Sequence, residues 1–401
     1  MVSADHIHNE EVFRIHAAIR LFADPADVMD PADAVSPSAF TSSEAAASLI
    51  PFPLALRPKG SFTGRSAEVE LLRSRLFDTP VQGDHGETEL KVCLISGVGG
   101  AGKTELAAQF AKEHMRHYSS GVFFLSMDDT AGGTLGMLQA LARELRLPDA
   151  VTTLMDTTAL RDHVHNWLCT RRRWLLLLDN ADEPRLFDDD GLIQLLLPPI
   201  NASGHIILTS RFSEDRCEAL QLTAAVSLSQ LEATKGMLLL VREAEALPSE
   251  AAAEERVQAL PDSERAALAW LAGGEGLDGL PLALTAAAGV IKKRKWGFAK
   301  YQREYETQDR CKVTWNMLTW NLSFNLLHAE SPAAAELLQL FALLAPDAKP
   351  LRLLSGGLDS EASVHFGGLH TALLAGELEE LVDIVQAYFI LYTLYFILYT
   401  L

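Results

Sequence analysis

The chain has 401 residues, 48% of them hydrophobic and 22% charged, which is the make-up of a folded protein with room for two or three domains. A formal net charge of −19 argues against a general nucleic-acid-binding surface, which would be basic, but it leaves room for a locally positive pocket holding one anionic ligand. The cysteines Cys93, Cys169, Cys217 and Cys311 lie far apart with no CxxC pair, which fits reduced thiols better than a disulfide framework or a zinc site.

The amino-terminal stretch MVSADHIHNEEVFRIH has no basic start followed by an apolar run, so no secretory signal is visible and a cytoplasmic location is expected. Val12, Ile15, Ile19 and Leu21 are spaced for one short amphipathic helix over residues 1–20. The stretch from Phe22 to about Ser61, rich in Ala, Pro, Asp and Ser, reads as a poorly ordered linker. His6 and His8 lack the further ligands a metal site needs.

From about Phe62 the pattern changes. LKVCLIS (Leu90–Ser96), GVFFLSM (Gly121–Met127), RWLLLLD (Arg173–Asp179) and HIILTS (His205–Ser210) are short continuous apolar runs, as in strands buried on both faces of a parallel sheet. A weaker fifth run surrounds Val226. Helical patterns fall between them at Lys103–Tyr118, Thr134–Leu147, Thr157–Arg171 and Leu186–Leu197. The alternation predicts a three-layer α/β domain with a parallel sheet over residues 61–230, after the segment 1–60. Beyond Glu232 only Ala- and Leu-rich helical patterns follow, through Ala233–Lys295 and Asn316–Leu344, so a separate helical region is expected.

Between the first strand and the first long helix, Gly97, Gly102, Lys103 and Thr104 satisfy G-x-x-x-x-G-K-[ST] in the required context. The glycines let the loop wrap so that successive backbone N–H groups point at phosphate oxygens, and a side chain there would block the approach. Lys103 supplies a charge to the outer phosphates, Thr104 a hydroxyl to Mg²⁺, and the following helix its positive end. Asp179 ends a hydrophobic strand where a carboxylate for the metal belongs, reached through a water. Asp182 either orients an attacking water or caps the next helix, and the sequence does not separate the two. Arg211, just past the fourth strand, is placed to sense a terminal phosphate.

With these pieces in place, the chain from about Phe62 to Leu344 resembles the NB-ARC group of STAND nucleotide switches within the P-loop NTPases. The likeness rests on an ordered series: FTGRSAEVELL (Phe62–Leu72), GVGGAGKTELA, LLLLDNAD, LTSR and GLPLAL (Gly279–Leu284). It implies that Gly64 and Arg65 lie against the adenine and that Pro281 packs near it. Loop and resemblance together give a nucleotide-contacting set of Gly64, Arg65, Gly97, Val98, Gly99, Gly100, Ala101, Gly102, Lys103, Thr104, Glu105 and Pro281. Lys103, Asp179 and Arg211 form the catalytic group, and Thr104 and Asp179 the metal pair. The stretch TWNLSFNLL…LLQLFALLAPDAKPLRLL looks like the opening of the family's winged helix, with Trp320, Leu322, Leu326 and Leu327 in its core. The implied layout is a helical subdomain over 231–312 and a partial winged helix over 313–385.

Two departures stand out. Asn180 holds the place of the second acid that many members use as a base; Asn can position a water but cannot take its proton, so fast hydrolysis is in doubt. The histidine that members carry late in the winged helix is not matched, because His365 and His370 come too early. The expected function is an ADP/ATP switch with slow Mg²⁺-dependent hydrolysis, self-associating on activation with an effector unknown. A turnover ATPase or phosphotransferase and a non-switching scaffold remain as alternatives.

KKRKW (Lys292–Trp296) reads as a helix end with basic residues at its negative pole. The end AYFILYTLYFILYTL repeats YFILYTL, and over 386–401 it suggests a truncated or misassembled frame more than a membrane anchor.

Overall fold

The computed structural model describes residues 62–78, 90–127, 133–187, 192–199, 202–213, 222–307, 315–343, 367–375 and 377–387. The expected amino-terminal helix and linker, the repeat tail, Cys217, Cys311, His365 and the side chains of Trp320 and His370 lie outside what it describes. The chain divides into two compact units, one from Ala67–Gly97 and Lys103–Ser227, the other from Ser61–Ser66, Val98–Gly102 and Leu228–Leu401.

The first unit is built on a sheet. Helix α1 (Ser66–Arg73) runs into a π-helical turn (Ser74–Asp78), followed by β1 (Lys91–Gly97), α2 (Lys103–His114), β2 (Gly121–Ser126) and α3 (Gly133–Glu144). After these come α4 (Asp149–Thr152), α5 (Thr157–Thr170), β3 (Arg172–Asp179), α6 (Leu192–Leu196), β4 (Ser203–Ser210) and β5 (Ala224–Leu228). The strand order is β2-β3-β4-β1-β5, with β2–β3, β3–β4 and β4–β1 parallel. The apolar runs are strands for the reason the sequence suggested: both faces are covered. Val92, Leu94, Phe123, Leu125, Leu176, Leu178, Ile206 and Leu208 share a core with Met137 and Leu141 of α3 and with Leu160 and Val164 of α5. The alternate residues Cys93, Ile95, Leu175, Leu177 and Ile207 face the other way and are equally buried, while α2 packs on β1, β3 and β4. Each such aliphatic side chain contributes about 1.5–3 kcal/mol relative to exposure.

Details of local chemistry set the boundaries. Asp156 caps α5 by accepting from the Thr158 and Ala159 N–H groups at 2.8 and 3.1 Å. Gly204 in β4 is a packing glycine, since any Cβ there would overlap the indole of Trp174, which is fully buried and donates from Nε1 to the Leu168 carbonyl at 2.9 Å. Of the helix expected over Leu186–Leu197, the described residues form a 3₁₀ turn (Pro184–Phe187) and the short α6, and residues 188–191 lie outside those described.

At the amino-terminal edge of the sheet, His205 is 7% exposed and its Nδ1 lies 2.9 Å from the Tyr118 hydroxyl. Burial, then the nearby Lys91 ammonium, pushes its pKa down from 6.5 to about 4. The folded protein therefore keeps His205 neutral while the unfolded chain takes up a proton below pH 6.5. Stability is fully present above that value and falls as pH drops toward 4, by up to about 3 kcal/mol from this group alone. Glu144, raised by burial to about 6, acts in the opposite sense between pH 4.5 and 6. His205→Gln isolates the histidine: between pH 7 and pH 5 its urea midpoint should fall less than that of the parent. Equal falls would refute the assignment.

The second unit is helical. It comprises α7 (Ala233–Glu245), α8 (Glu250–Ala259), α9 (Asp262–Ala272), α10 (Pro281–Arg294), α11 (Phe298–Glu306), α12 (Trp315–Glu330), α13 (Pro332–Leu343), α14 (Gly367–Leu374) and α15 (Leu378–Ala387). Helix α10 is the hub: Ala283–Ile291 is buried throughout, and the helix packs on α7, α11, α12 and α15. Leu322 and Leu327 of α12 are core residues and Leu326 is partly buried. The basic cluster is the end of α10. Lys295 takes the left-handed C-cap conformation, and Lys293 and Arg294 approach Glu330 at 3.3 and 3.5 Å. Among the described residues, no helix is long and apolar enough to cross a membrane.

Candidate functional site

The sheet register places chemistry-bearing residues at the carboxyl ends of adjacent strands. Ser96 is opposite Ser210, and Asp179 is opposite Ser126, so β1, β3 and β4 end at one edge. Ligands of open α/β sheets bind at that edge. Asp179 is 6% exposed and accepts two hydroxyl hydrogen bonds. Thr104, in the first turn of α2, donates to Oδ1 and Oδ2 at 2.8 and 3.1 Å, and Thr209 of β4 donates to Oδ1 at 2.6 Å. Burial raises the Asp179 pKa, whereas the Thr209 and Thr104 hydroxyls and the Lys103 charge pull it down. Lys103 is also buried, and its ammonium donates to the Gly97 carbonyl at 3.0 Å. Its pKa is lowered by burial first and by Arg211 in part, against the pull of Asp182 and Asp179. A buried lysine, a buried carboxylate and two hydroxyls thus gather at this end of the sheet, groups suited to phosphate oxygens and a hard cation.

Beyond Asp179 the chain turns sharply. Asn180 takes a left-handed φ of 59°, an uncommon conformation for which Asn is among the better-suited residues, and its N–H donates to Thr209 Oγ1 at 3.0 Å. Asp182, which the sequence left open, pairs with Arg211. Its Oδ1 accepts from the Arg211 backbone N–H at 2.6 Å, and its Oδ2 pairs with Arg211 Nε at 2.6 Å. Ser210 adds a longer contact at 3.4 Å and donates to the Ala181 carbonyl at 2.5 Å.

The helical unit holds the rest of the expected set. Of the phosphate loop, Val98–Gly102 clusters with this unit. Gly97, Gly100 and Gly102 have φ of 151°, 75° and 92°, values that L-residues with a Cβ disfavour. The Ala101 N–H closes a turn onto the Val98 carbonyl at 3.2 Å. The first turn of α10 lies against this loop. With Pro281 at its first position, the Leu282 N–H is an orphan amide, and it donates to the Gly100 carbonyl at 3.3 Å. A Cβ on Gly102 would lie 3.9 Å from Pro281 Cγ. A Cβ on Gly100 would come within 2.9 Å of Leu282 Cβ and 3.1 Å of Leu280 Cδ2. At Gly100 a side chain would therefore disturb helix packing as well as the turn. Arg65 reaches the Ala101 carbonyl at 3.5 Å and hydrogen-bonds the Ser229 carbonyl, and the Gly64 N–H donates to Glu250 at 2.5 Å. Val98 is half exposed, while Glu105 sits in the first turn of α2.

Thr209, Glu250 and the Asp182–Arg211 pair were missed as functional partners. Thr209 carried the one available signal, a polar residue inside an otherwise apolar strand.

Residues 80–249 match the family model of the NB-ARC domain. Among curated proteins, the chain is 30% identical over 262 residues to the regulatory protein AfsR of Streptomyces coelicolor, covering 64% of this chain and 24% of that one. It is 23% identical over 363 residues to a nucleotide-binding leucine-rich repeat (NLR)-like protein of Hyaloscypha variabilis, covering 83% and 34%. The AfsR of Streptomyces griseus is 31% identical over 171 residues, 40% of this chain and 17% of that one. The chain thus spans between about a sixth and a third of the length of these relatives. Among solved structures, the ORC2 protein of Aeropyrum pernix in its ADPNP–ADP complexes aligns over 83% of this chain and 95% of that one, at 15% identity and a TM-score of 0.40.

Proposed function

We propose that this chain, in which residues 80–249 match the NB-ARC domain, is an ADP/ATP-dependent signalling switch of the STAND P-loop NTPase class. The observation that carries the proposal is the hydroxyl–carboxylate network of Thr104, Asp179 and Thr209 beside the buried Lys103. It joins the start of the phosphate-loop helix to the ends of two strands, as a nucleotide-phosphate site requires.

In this reading, the loop amides and Lys103 bind the phosphates. Thr104 and Asp179 supply the hard oxygen donors that suit Mg²⁺, and the ion would neutralise charge on the outer phosphates. Arg211 meets the terminal phosphate, so it has an affinity difference between ATP and ADP to report. Gly64, Arg65 and Pro281 border the nucleoside end. Asn180 provides no base, which supports slow hydrolysis and a long-lived ADP state. The names of the relatives, a regulatory protein and an NLR-like protein, suit signalling better than metabolic turnover. The layout we propose is the sheet domain, a helical subdomain to residue 312 and an incomplete winged helix beyond it, with self-association in the ATP state and a cytoplasmic location.

The test is direct. Acid release from the purified protein should yield stoichiometric ADP, ATP turnover should be a few per hour or slower, and hydrodynamic size should differ between the ADP and ATP forms. Turnover of many per second with a co-substrate would indicate an enzyme. Equal size in both forms would indicate a scaffold, a reading that Asn180 also favours.

A further inference from the structure

Asp182, the partner of Arg211, has no part in the roles above. Its geometry is specific: one carboxylate holds both the main chain of Arg211, through Oδ1, and its guanidinium, through Oδ2. The pair is only partly exposed, with the Asp182 side chain 17% and the Arg211 side chain 31% accessible. Asp182 also acts on the buried Lys103 with the sign of a stabilising counter-charge, while Arg211 acts on it with the opposite sign. Asp182 is therefore an anion placed among the two cations assigned to the outer phosphates, each of which it counterbalances.

We propose that Asp182 is a positioning residue that competes with the terminal phosphate of ATP for Arg211. This rests on the reading of Arg211 as the group that meets that phosphate. When only a diphosphate is bound, nothing displaces the carboxylate and Arg211 stays on Asp182. A terminal phosphate offers the same guanidinium a stronger, doubly charged acceptor, and the arginine transfers to it. Breaking the internal pair opposes the gain from the phosphate contact, so Asp182 lowers the preference for ATP over ADP and biases the protein toward its diphosphate state. Because Oδ1 also anchors the Arg211 N–H, the end of β4 stays in place while the guanidinium moves.

The experiment is the ratio of ATPγS to ADP affinity in the full chain, measured by titration after removal of bound nucleotide. Asp182→Asn keeps an acceptor for the backbone N–H but removes the charge, and it should raise that ratio roughly three- to tenfold. Asp182→Glu should stay near the parent ratio. In an Arg211→Ala background, Asp182→Asn should change nothing, because the competed-for group is gone. A purely structural carboxylate would weaken both nucleotides equally. An unchanged or lowered ratio, or the same shift without Arg211, overturns the proposal. Should Asp182→Asn not fold, the parent protein still answers: the Arg211 ¹⁵Nε resonance should move with ATPγS and not with ADP, and the same position in both overturns it. A parent that binds neither nucleotide defeats the switch reading and this inference together, whereas normal binding with an unmoved ratio defeats this inference alone.

Discussion

Lys103→Ala should strip the purified protein of retained nucleotide. The buried ammonium rests on the Gly97 carbonyl and is flanked by Asp179 and Asp182, so it is already desolvated and aimed before a ligand arrives. A phosphate that meets such a preorganised charge gains most of its interaction without reorganising the site. Removing one partner from a desolvated charge pair costs about 2–5 kcal/mol, equivalent to roughly a 30- to 4,000-fold loss of affinity. Taking out the cation removes its own desolvation penalty but leaves the buried Asp179 carboxylate less compensated, so the fold of the variant is checked first. Expected results are an unchanged far-ultraviolet circular dichroism spectrum and no ADP on acid release. A variant that keeps ADP as the parent does would show that Lys103 does not hold the phosphates.

Much of this could be read in the linear sequence because the underlying physics is local. A parallel strand covered on both faces must be apolar at every position, so WLLLLD and HIILTS announced β3 and β4 to within two residues of their starts. The phosphate loop was readable because a tight turn into a helix N-terminus constrains glycine, lysine and threonine at fixed spacing. Asp179 followed from its place at the end of an apolar strand. In each case the requirement lies within one short window.

The partnerships that complete the site lie between windows. Asp179 meets Thr209 across 30 residues, Asp182 meets Arg211 across 29, and Gly64 meets Glu250 across 186. No local periodicity encodes such pairs. Asp182 illustrates this: neither role the sequence offered named Arg211, the partner it meets at the end of the next strand in the sheet. The 3₁₀ turn at Pro184–Phe187 was missed for the opposite reason: apolar spacing alone does not distinguish it from the start of an α-helix.

Gly100→Ala should impair stability and ligand binding together. Its φ of 75° costs a side-chain-bearing residue about 1–2 kcal/mol. The new methyl would also sit 2.9 Å from Leu282 Cβ and 3.1 Å from Leu280 Cδ2, and such overpacking costs about 1–3 kcal/mol more. Leu280 is fully buried and Leu282 lies in the first turn of α10, so neither is the far end of a flexible chain that moves aside cheaply. The loop must yield instead, which would pull the Gly100 carbonyl off the Leu282 N–H. A lower melting temperature in the nucleotide-free protein and weaker ADP binding are both expected. Leu282→Ala in the same chain leaves the Cβ contact and the left-handed φ but clears Leu282 Cδ2, 3.2 Å from the new methyl, so it should restore only part of either loss. If Gly100→Ala melted with the parent and bound ADP equally well, the packing of α10 on the phosphate loop would have no bearing on the site.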